Sequence, residues 1–314
     1  MLHGKRDSML GTLSAGLAFI IWGITPIYWK LLGKMPALEI IMHRMIWSFV
    51  FIVLIIFVTR QFQDFLAVLK NRNKIYILVL STGTIAFNWF VYIYAVNSNH
   101  VLQASLGYYI TPLVNMILGI VFLKERLRPL QAVSVFIACA SVSVLTYRLG
   151  SFPWISLALA SSFGCYGLIR KVAPVSALVG LGVETMLLSV PAIIYLIHAN
   201  IEGTGAFLHN GSIFDMLLIG SAFVTALPLL LFTEGARRVR MITIGFLQYI
   251  APSINFILAV FLFKEPILPV QLFAFVLIWF ALIIYSTDAV MMYRKLRDPY
   301  FDTEMALPRV SRSK

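Results

Sequence analysis

Stretches free of charge recur along the chain at the length a membrane helix needs. No charged residue occurs in 8–29, which is 22 residues, and none in 75–123, which is 49 and long enough for two helices. The polar run Asn97-Ser98-Asn99-His100 divides the longer interval where a turn is required. Further uncharged intervals cover 129–147, 149–169, 216–233, 241–263 and 266–287. Two more hydrophobic stretches carry charge: 38–59 holds Glu39 and Arg44, and 177–199 holds Glu184. A spanning helix takes roughly 20 apolar residues, so the pattern predicts an all-α polytopic membrane protein with ten transmembrane helices and short loops. These stretches are apolar on every side instead of alternating over about 10 residues, which excludes β-barrel strands.

Composition agrees. The 314 residues are 60% hydrophobic and 12% charged, with a mean hydropathy of +0.90; a soluble domain is about 25% charged. Such a chain is neither disordered nor collagen-like nor disulfide-built. Its net charge of +12 sets an orientation and does not indicate nucleic acid, because the basic residues sit between spans. The N-terminus, the connections after spans 2, 4, 6 and 8, and the C-terminal tail hold 20 of the 25 Lys and Arg; Lys30, Lys34, Arg44, Arg148 and Lys264 fall on the other side. The excess predicts cytoplasmic termini, which an even number of spans also requires. Lys5 and Arg6 precede a long apolar stretch with no small-residue cleavage site, so it is expected to be retained as span 1. Cys139 and Cys165 lie inside spans and are expected to act as small apolar fillers.

Shifted by 140 residues, 103–131 falls on 243–271 without a gap, and ten of the 29 positions are identical. The matches include Tyr109/Tyr249, Pro112/Pro252, Asn115/Asn255, Lys124/Lys264, Glu125/Glu265 and Gln131/Gln271. Chance between two greasy helices explains paired Ile and Leu, but poorly explains Pro, Asn and Lys-Glu at fixed spacing. A fainter match at a shift of 141 sets Trp22, Gly23 and Lys30 on Phe163, Gly164 and Lys171. Five spans per copy is an odd number, so the second copy must enter the membrane from the opposite side, as in many secondary transporters. The expected units are 8–147, an inverted second copy at 151–288, and a basic tail at 289–314.

Polar groups inside hydrocarbon mark candidate function. In span 4, Ser105, Tyr108, Pro112, Asn115 and Gly119 share one helical face; Gly245, Gln248, Pro252, Asn255 and Ala259 are their counterparts in span 9. Each face is expected to line a central cavity or to pack helix on helix with Asn bonding across the seam. Asn88 and Tyr92 share a face of span 3, and Trp22 completes the candidate substrate-binding set. Glu234 is expected to pair with Arg237 and Arg238, while Glu125 and Glu265 close helices beside lysines. Glu39 and His43 are four apart with Arg44 adjacent, placed either to pair or to snorkel outward. A mid-bilayer charge costs roughly 2.5–3.5 kcal/mol on the insertion scale, so Glu184 needs a partner or a proton. A desolvated carboxyl can serve proton coupling, and His43 and Arg44 are the expected cationic partners. The sequence contains no phosphate-binding loop, no HExxH and no Cys/His cluster with metal spacing. No enzymatic activity, cofactor or metal is expected.

Several stretches carry a family resemblance: Glu39–Ser48, Asn88–Asn115, KERL from Lys124, SFGCYGLIRK from Ser162 and IGFLQYIAPSINF from Ile244. The chain resembles the EamA branch of the drug/metabolite transporter superfamily, and within it the RarD proteins, often named for chloramphenicol sensitivity. The resemblance spans nearly the whole chain. It implies ten helices in two inverted halves with spans 5 and 10 peripheral, a bacterial inner-membrane location, and export or exchange of amino acids, other metabolites or drugs such as chloramphenicol. The partners it implies are a small-molecule substrate and the bilayer, with homodimerisation left open. A channel-like protein or a non-transporting scaffold is the alternative.

Overall fold

The computed structural model describes residues 2–33, 35–149, 152–209, 211–264 and 269–295, and among them it holds helices and no strands. Lys34, Glu265 and the tail beyond 295 lie outside the described residues. The helices are α1 (Leu2–Leu31), α2 (Ala37–Val58), α3 (Phe62–Lys70), α4 (Arg72–Asn97), α5 (Val101–Leu123), α6 (Pro129–Leu149), α7 (Trp154–Val172), α8 (Ala177–Ile201), α9 (Ser212–Arg238), α10 (Met241–Gln248), α11 (Ile250–Ile257) and α12 (Pro269–Lys295). A π-helical turn, Leu258–Leu262, extends α11.

Among the described residues, nine helical segments are long and apolar enough to cross a membrane, the α10–α11 run counting as one. The segment predicted as span 6 is α7. It has 19 residues, carries Ser156, Ser161, Ser162, Gly164 and Gly167, and ends on Arg170 and Lys171. Ser156, Ser162, Gly164 and Gly167 are buried against protein: α7 packs between α4, α5 and α9 and also buries Ile155, Leu159, Ala160 and Tyr166. The amphipathic α3 was not among the predicted elements. It lies between α2 and α4 and buries Phe65 and Val68.

Span 9 breaks where span 4 does not. Proline has no N–H and its ring crowds the carbonyl four residues back; for Pro252 that residue is Gln248, where α10 ends. Pro112 lies inside an unbroken α5. Both Lys124 and Lys264, matched in the repeat, adopt a left-handed backbone at φ 54°.

The main packing partners are α1 with α9 and α11, α7 with α4 and α5, α2 with α8 and α9, α5 with α10, and α6 with α12. Between α1 and α9 the backbones touch. A Cβ on Gly235 would stand 2.7 Å from Ala15 Cβ and 2.8 Å from the Gly11 carbonyl oxygen, an approach only small residues permit. The largest core, with Phe19, Ile52, Ile56, Leu78, Val183 and Phe232, joins α1, α2, α4, α8 and α9. The outer surface is apolar at Leu54, Phe136, Ile194 and Phe280, as lipid contact requires. Cys139 is on that exposed surface of α6 and is not a core filler; Cys165 is half-buried, and both are free.

Candidate functional site

The two faces singled out in spans 4 and 9 meet. A cavity of about 200 Å³ is lined by Ser105, Tyr108 and Tyr109 of α5, by Pro252, Asn255 and Phe256 of α11, by Ala259 and Val260 of the π turn, and by Gln271 and Phe275 of α12. Asn255 Oδ1 is buried there without a hydrogen-bond partner. Deeper along the same seam, Asn115 and Gln248 close on each other, Asn115 Nδ2 donating to Gln248 Oε1 at 2.5 Å. Asn115 is fully buried. Its place is therefore a helix–helix contact, while its repeat partner Asn255 faces the cavity.

Arg44 lies between α1, α4 and α9. Its Nε donates to Thr225 Oγ1 of α9 at 2.9 Å. The guanidinium carbon lies 4.5 Å from the ring centre of Trp29 and 5.5 Å from that of Trp89. Four helices, α1, α2, α4 and α9, thus converge on one cation. Tyr92 and Tyr108 are 37% and 50% exposed. Trp22 stands apart in an aromatic cluster, with ring centres 5.6 Å from Phe19, 5.8 Å from Phe163 and 5.7 Å from Phe232. Asn88 ties α4 to α7, donating to the Leu159 carbonyl at 2.8 Å and to Ser162 Oγ at 3.0 Å.

Glu184 does not meet His43 or Arg44. Its cation is Arg170, whose Nε lies 3.4 Å from Glu184 Oε1. The uncharged interval stops at Ile169, just before Arg170, but α7 runs on to Val172 and this side chain is fully buried. Ser81 Oγ donates to Glu184 Oε1 at 2.5 Å and Tyr166 OH to Oε2 at 3.2 Å. Arg170 also donates to the Ala177 carbonyl at 3.1 Å. Gly180 makes room, since a Cβ there would lie 2.1 Å from Nη1. Glu39 and His43 do pair, at 3.9 Å. Both are buried, and Glu39 Oε1 accepts from the Ala206 N–H at 2.6 Å, so the two hold the α8–α9 connection instead of snorkelling.

The opposite end, where α5, α7 and α9 finish, is sealed by polar ties. Glu125 accepts from the Met241 and Ile242 N–H groups at 2.7 and 3.0 Å, capping α10. Lys171 donates to the carbonyls of Ala236 (2.7 Å) and Val239 at the end of α9. Arg237 reciprocates to the carbonyls of Ala173 and Val175, each at 2.6 Å. Glu234 binds Arg238 (Nε at 2.9 Å), leaving Arg237 to this latch. The participants not anticipated, Trp29, Ser81, Tyr166, Arg170 and Thr225, were signalled only weakly. Tyr166 and Arg170 stand four apart, which places them on one face.

Known proteins now place this architecture. The EamA-like transporter family matches residues 9–147. The uncharacterized transporter YojE of Bacillus subtilis is 43% identical over 94% of this chain and 98% of its own length. Protein RarD of Salmonella typhi is 44% identical over 92% and 99%, respectively. A solved crystal structure superposes with a TM-score of 0.69 at 17% identity, covering 92% of this chain and 99% of its own, which shows the shared fold. The chain is a RarD-type member of the EamA-like transporter family, a multi-pass membrane protein of a transporter lineage.

Proposed function

We propose that the chain is a secondary transporter, working without ATP, that carries small organic solutes across the bacterial inner membrane. It does so through a cavity between two inverted five-helix halves, with α7 as the tenth span and both termini in the cytoplasm. The observation that carries this reading is the cavity of about 200 Å³, walled by the sequence-matched faces of α5 and α11. The packing pairs support it: exchanging the halves turns α1–α9 into α7–α4 and α1–α11 into α7–α5, while α2–α8, α5–α10 and α6–α12 map onto themselves. The 20-to-5 split of basic residues supports the orientation. In that orientation the sealed end is cytoplasmic and the cavity lies in the outer half, an outward-facing state. Glu184, held by Arg170, Ser81 and Tyr166, is read as an anchor and not as a proton carrier.

A relative from Pseudomonas aeruginosa, 29% identical, is named chloramphenicol-sensitive protein RarD, so amphenicols belong in the first solute panel beside amino acids and other organic acids. Proteoliposomes containing the purified chain should show saturable uptake and counterflow, which a channel or scaffold does not. Linear, non-saturating flux or no flux for every solute would reject the carrier. Cysteine placed at Asn99 or Gly211 should react with an impermeant thiol reagent outside intact cells, and at Asn71 should not; external labelling at Asn71 would reverse the orientation.

A further inference from the structure

We propose that the cavity is the open form of a second helix seam, and that in the alternate conformation the Tyr108 hydroxyl donates to Asn255 Oδ1 across it, shutting the cavity while the Asn115–Gln248 contact parts. This rests on the transporter reading and adds the contact that ends access from the cavity side.

The cavity walls are repeat mates of residues that already touch. At the shift of 140, Tyr108 falls on Gln248, Asn255 on Asn115, Ser105 on Gly245 and Pro252 on Pro112. Between the second half of α5 and α10 those mates are closed. Asn115 Nδ2 donates to Gln248 Oε1 at 2.5 Å. A Cβ on Gly245 would stand 2.6 Å from the Pro112 carbonyl oxygen and 2.8 Å from Met116 Cγ. Further along, a Cβ on Gly119 would stand 2.8 Å from Met241 Cβ. The first half of α5 and α11 carry the same pattern, yet they face each other across about 200 Å³. One seam is shut and its counterpart is open, as two similar halves in different conformations require. Exchanging the halves shuts the second seam and opens the first.

The chemistry of the open seam fits closure. Asn255 Oδ1 is buried without a hydrogen-bond partner, and buried acceptors are normally satisfied. Tyr108, 50% exposed on the facing wall, brings a hydroxyl donor to the place that Gln248 fills in the shut seam. The asparagine donates in one seam and accepts in the other. Spacing agrees as well. Gly245 lets backbones approach, whereas Ser105 already carries a Cβ, so the second seam must stand wider, and a tyrosine reaches farther than a glutamine. Val101, now 55% exposed, and Ala259 of the cavity wall are the counterparts of Met241 and Gly119. Closure brings their Cβ atoms together.

The test uses the full chain in proteoliposomes, with Cys139 and Cys165 exchanged for alanine. Cysteines replace Val101 and Ala259, copper phenanthroline oxidises them where they meet, and the readout is the rate of intramolecular disulfide formation. The bridge should form, stop counterflow of amino acids or amphenicols, and release it on reduction. Tyr108→Phe should slow bridging roughly two- to tenfold, the equivalent of one neutral hydrogen bond. Asn255→Ala should do the same, and the double variant should be no slower than either single one. Asn115→Ala, which weakens the competing seam, should speed bridging by a similar factor. A second cysteine pair, at Ser105 and Phe256, should behave alike. The Tyr108–Asn255 cycle should also be non-additive in counterflow rate, which needs no cysteine.

Additive effects of Tyr108→Phe and Asn255→Ala would overturn the inference, as would the absence of a bridge in both pairs, or a bridge that leaves counterflow untouched. Any of these beside wild-type counterflow would keep the carrier and reject this contact. Bridging with the non-additive pattern but no counterflow would reject the carrier alone.

Discussion

Arg44 and Glu184 each stand eighth in a helix that opens with alanine, α2 and α8, and yet their surroundings differ completely. We read them as matched positions of the inverted repeat. Their neighbours match too, because the 141-residue shift that sets Lys30 on Lys171 also sets Trp29 on Arg170. In the second half, Arg170 meets Glu184 and the charges cancel in a dry core closed by Ser81 and Tyr166. In the first half, Trp29 meets Arg44 and one positive charge is left over. One location locks helices together through an ion pair, and its mate holds a single charge against a hydroxyl and two indole rings.

The most severe way to break this contrast is to orphan Glu184. Arg170→Ala should destabilise the fold by about 3–5 kcal/mol, the cost of leaving a buried charge unpaired, and lower the melting temperature sharply in detergent. Arg44→Met should stay within about 1 kcal/mol of wild type, because no carboxylate is orphaned. Equal melting of the two variants would erase the distinction. Next in size is the asparagine pair. Asn115→Ala leaves the buried Gln248 Oε1 without its donor and should cost about 1–3 kcal/mol. Asn255→Ala should melt like wild type yet slow counterflow. Loss of stability in both would make both packing residues. The smallest expected effect is at Trp29. Exchanging it for Phe should weaken the cation–π contact with Arg44 and lower stability by about 0.5–1 kcal/mol, a shift of the melting temperature smaller than that of Asn115→Ala.

Much of the fold was legible because hydrocarbon solvent enforces a simple rule: apolar runs of fixed length, interrupted by charge. That rule also misplaced Arg170, since it treats any charge as the end of a span, whereas a charge with a partner can continue one. Glu184 was recognised as buried, but its partner had to come from packing, which brings α7 against α8 only through the assembled bundle. Asn115 and Asn255 were found together through the repeat. Nothing in two identical Pro-x-x-Asn patterns told which would close on a neighbour and which would face a cavity, because that difference is set by the distant helices packed beside each: Gln248 of α10 meets Asn115, and α12 walls the cavity at Asn255. The helix α3 was missed for a simpler reason: nine residues bearing Asp64 and Lys70 do not register on a scale tuned to spans.

The contact at Gly235 has a mechanical consequence. Interlocked backbones at Gly11, Ala15 and Gly235 cannot slide past each other without a clash, so α1 and α9 are geared to travel as one rigid body although they come from different repeats. On the other side α4, α5 and α7 form a second body that is equally mixed in origin. On the transporter reading proposed above, alternation would pivot between two chimeric blocks and not between the two halves, with the backbone ties made by Lys171 and Arg237 clasping them on one side of the pivot. Spin-label distances should stay fixed within α1–α9 and change between α7 and α9 as substrate is added. A variable α1–α9 distance would show that the gearing slips.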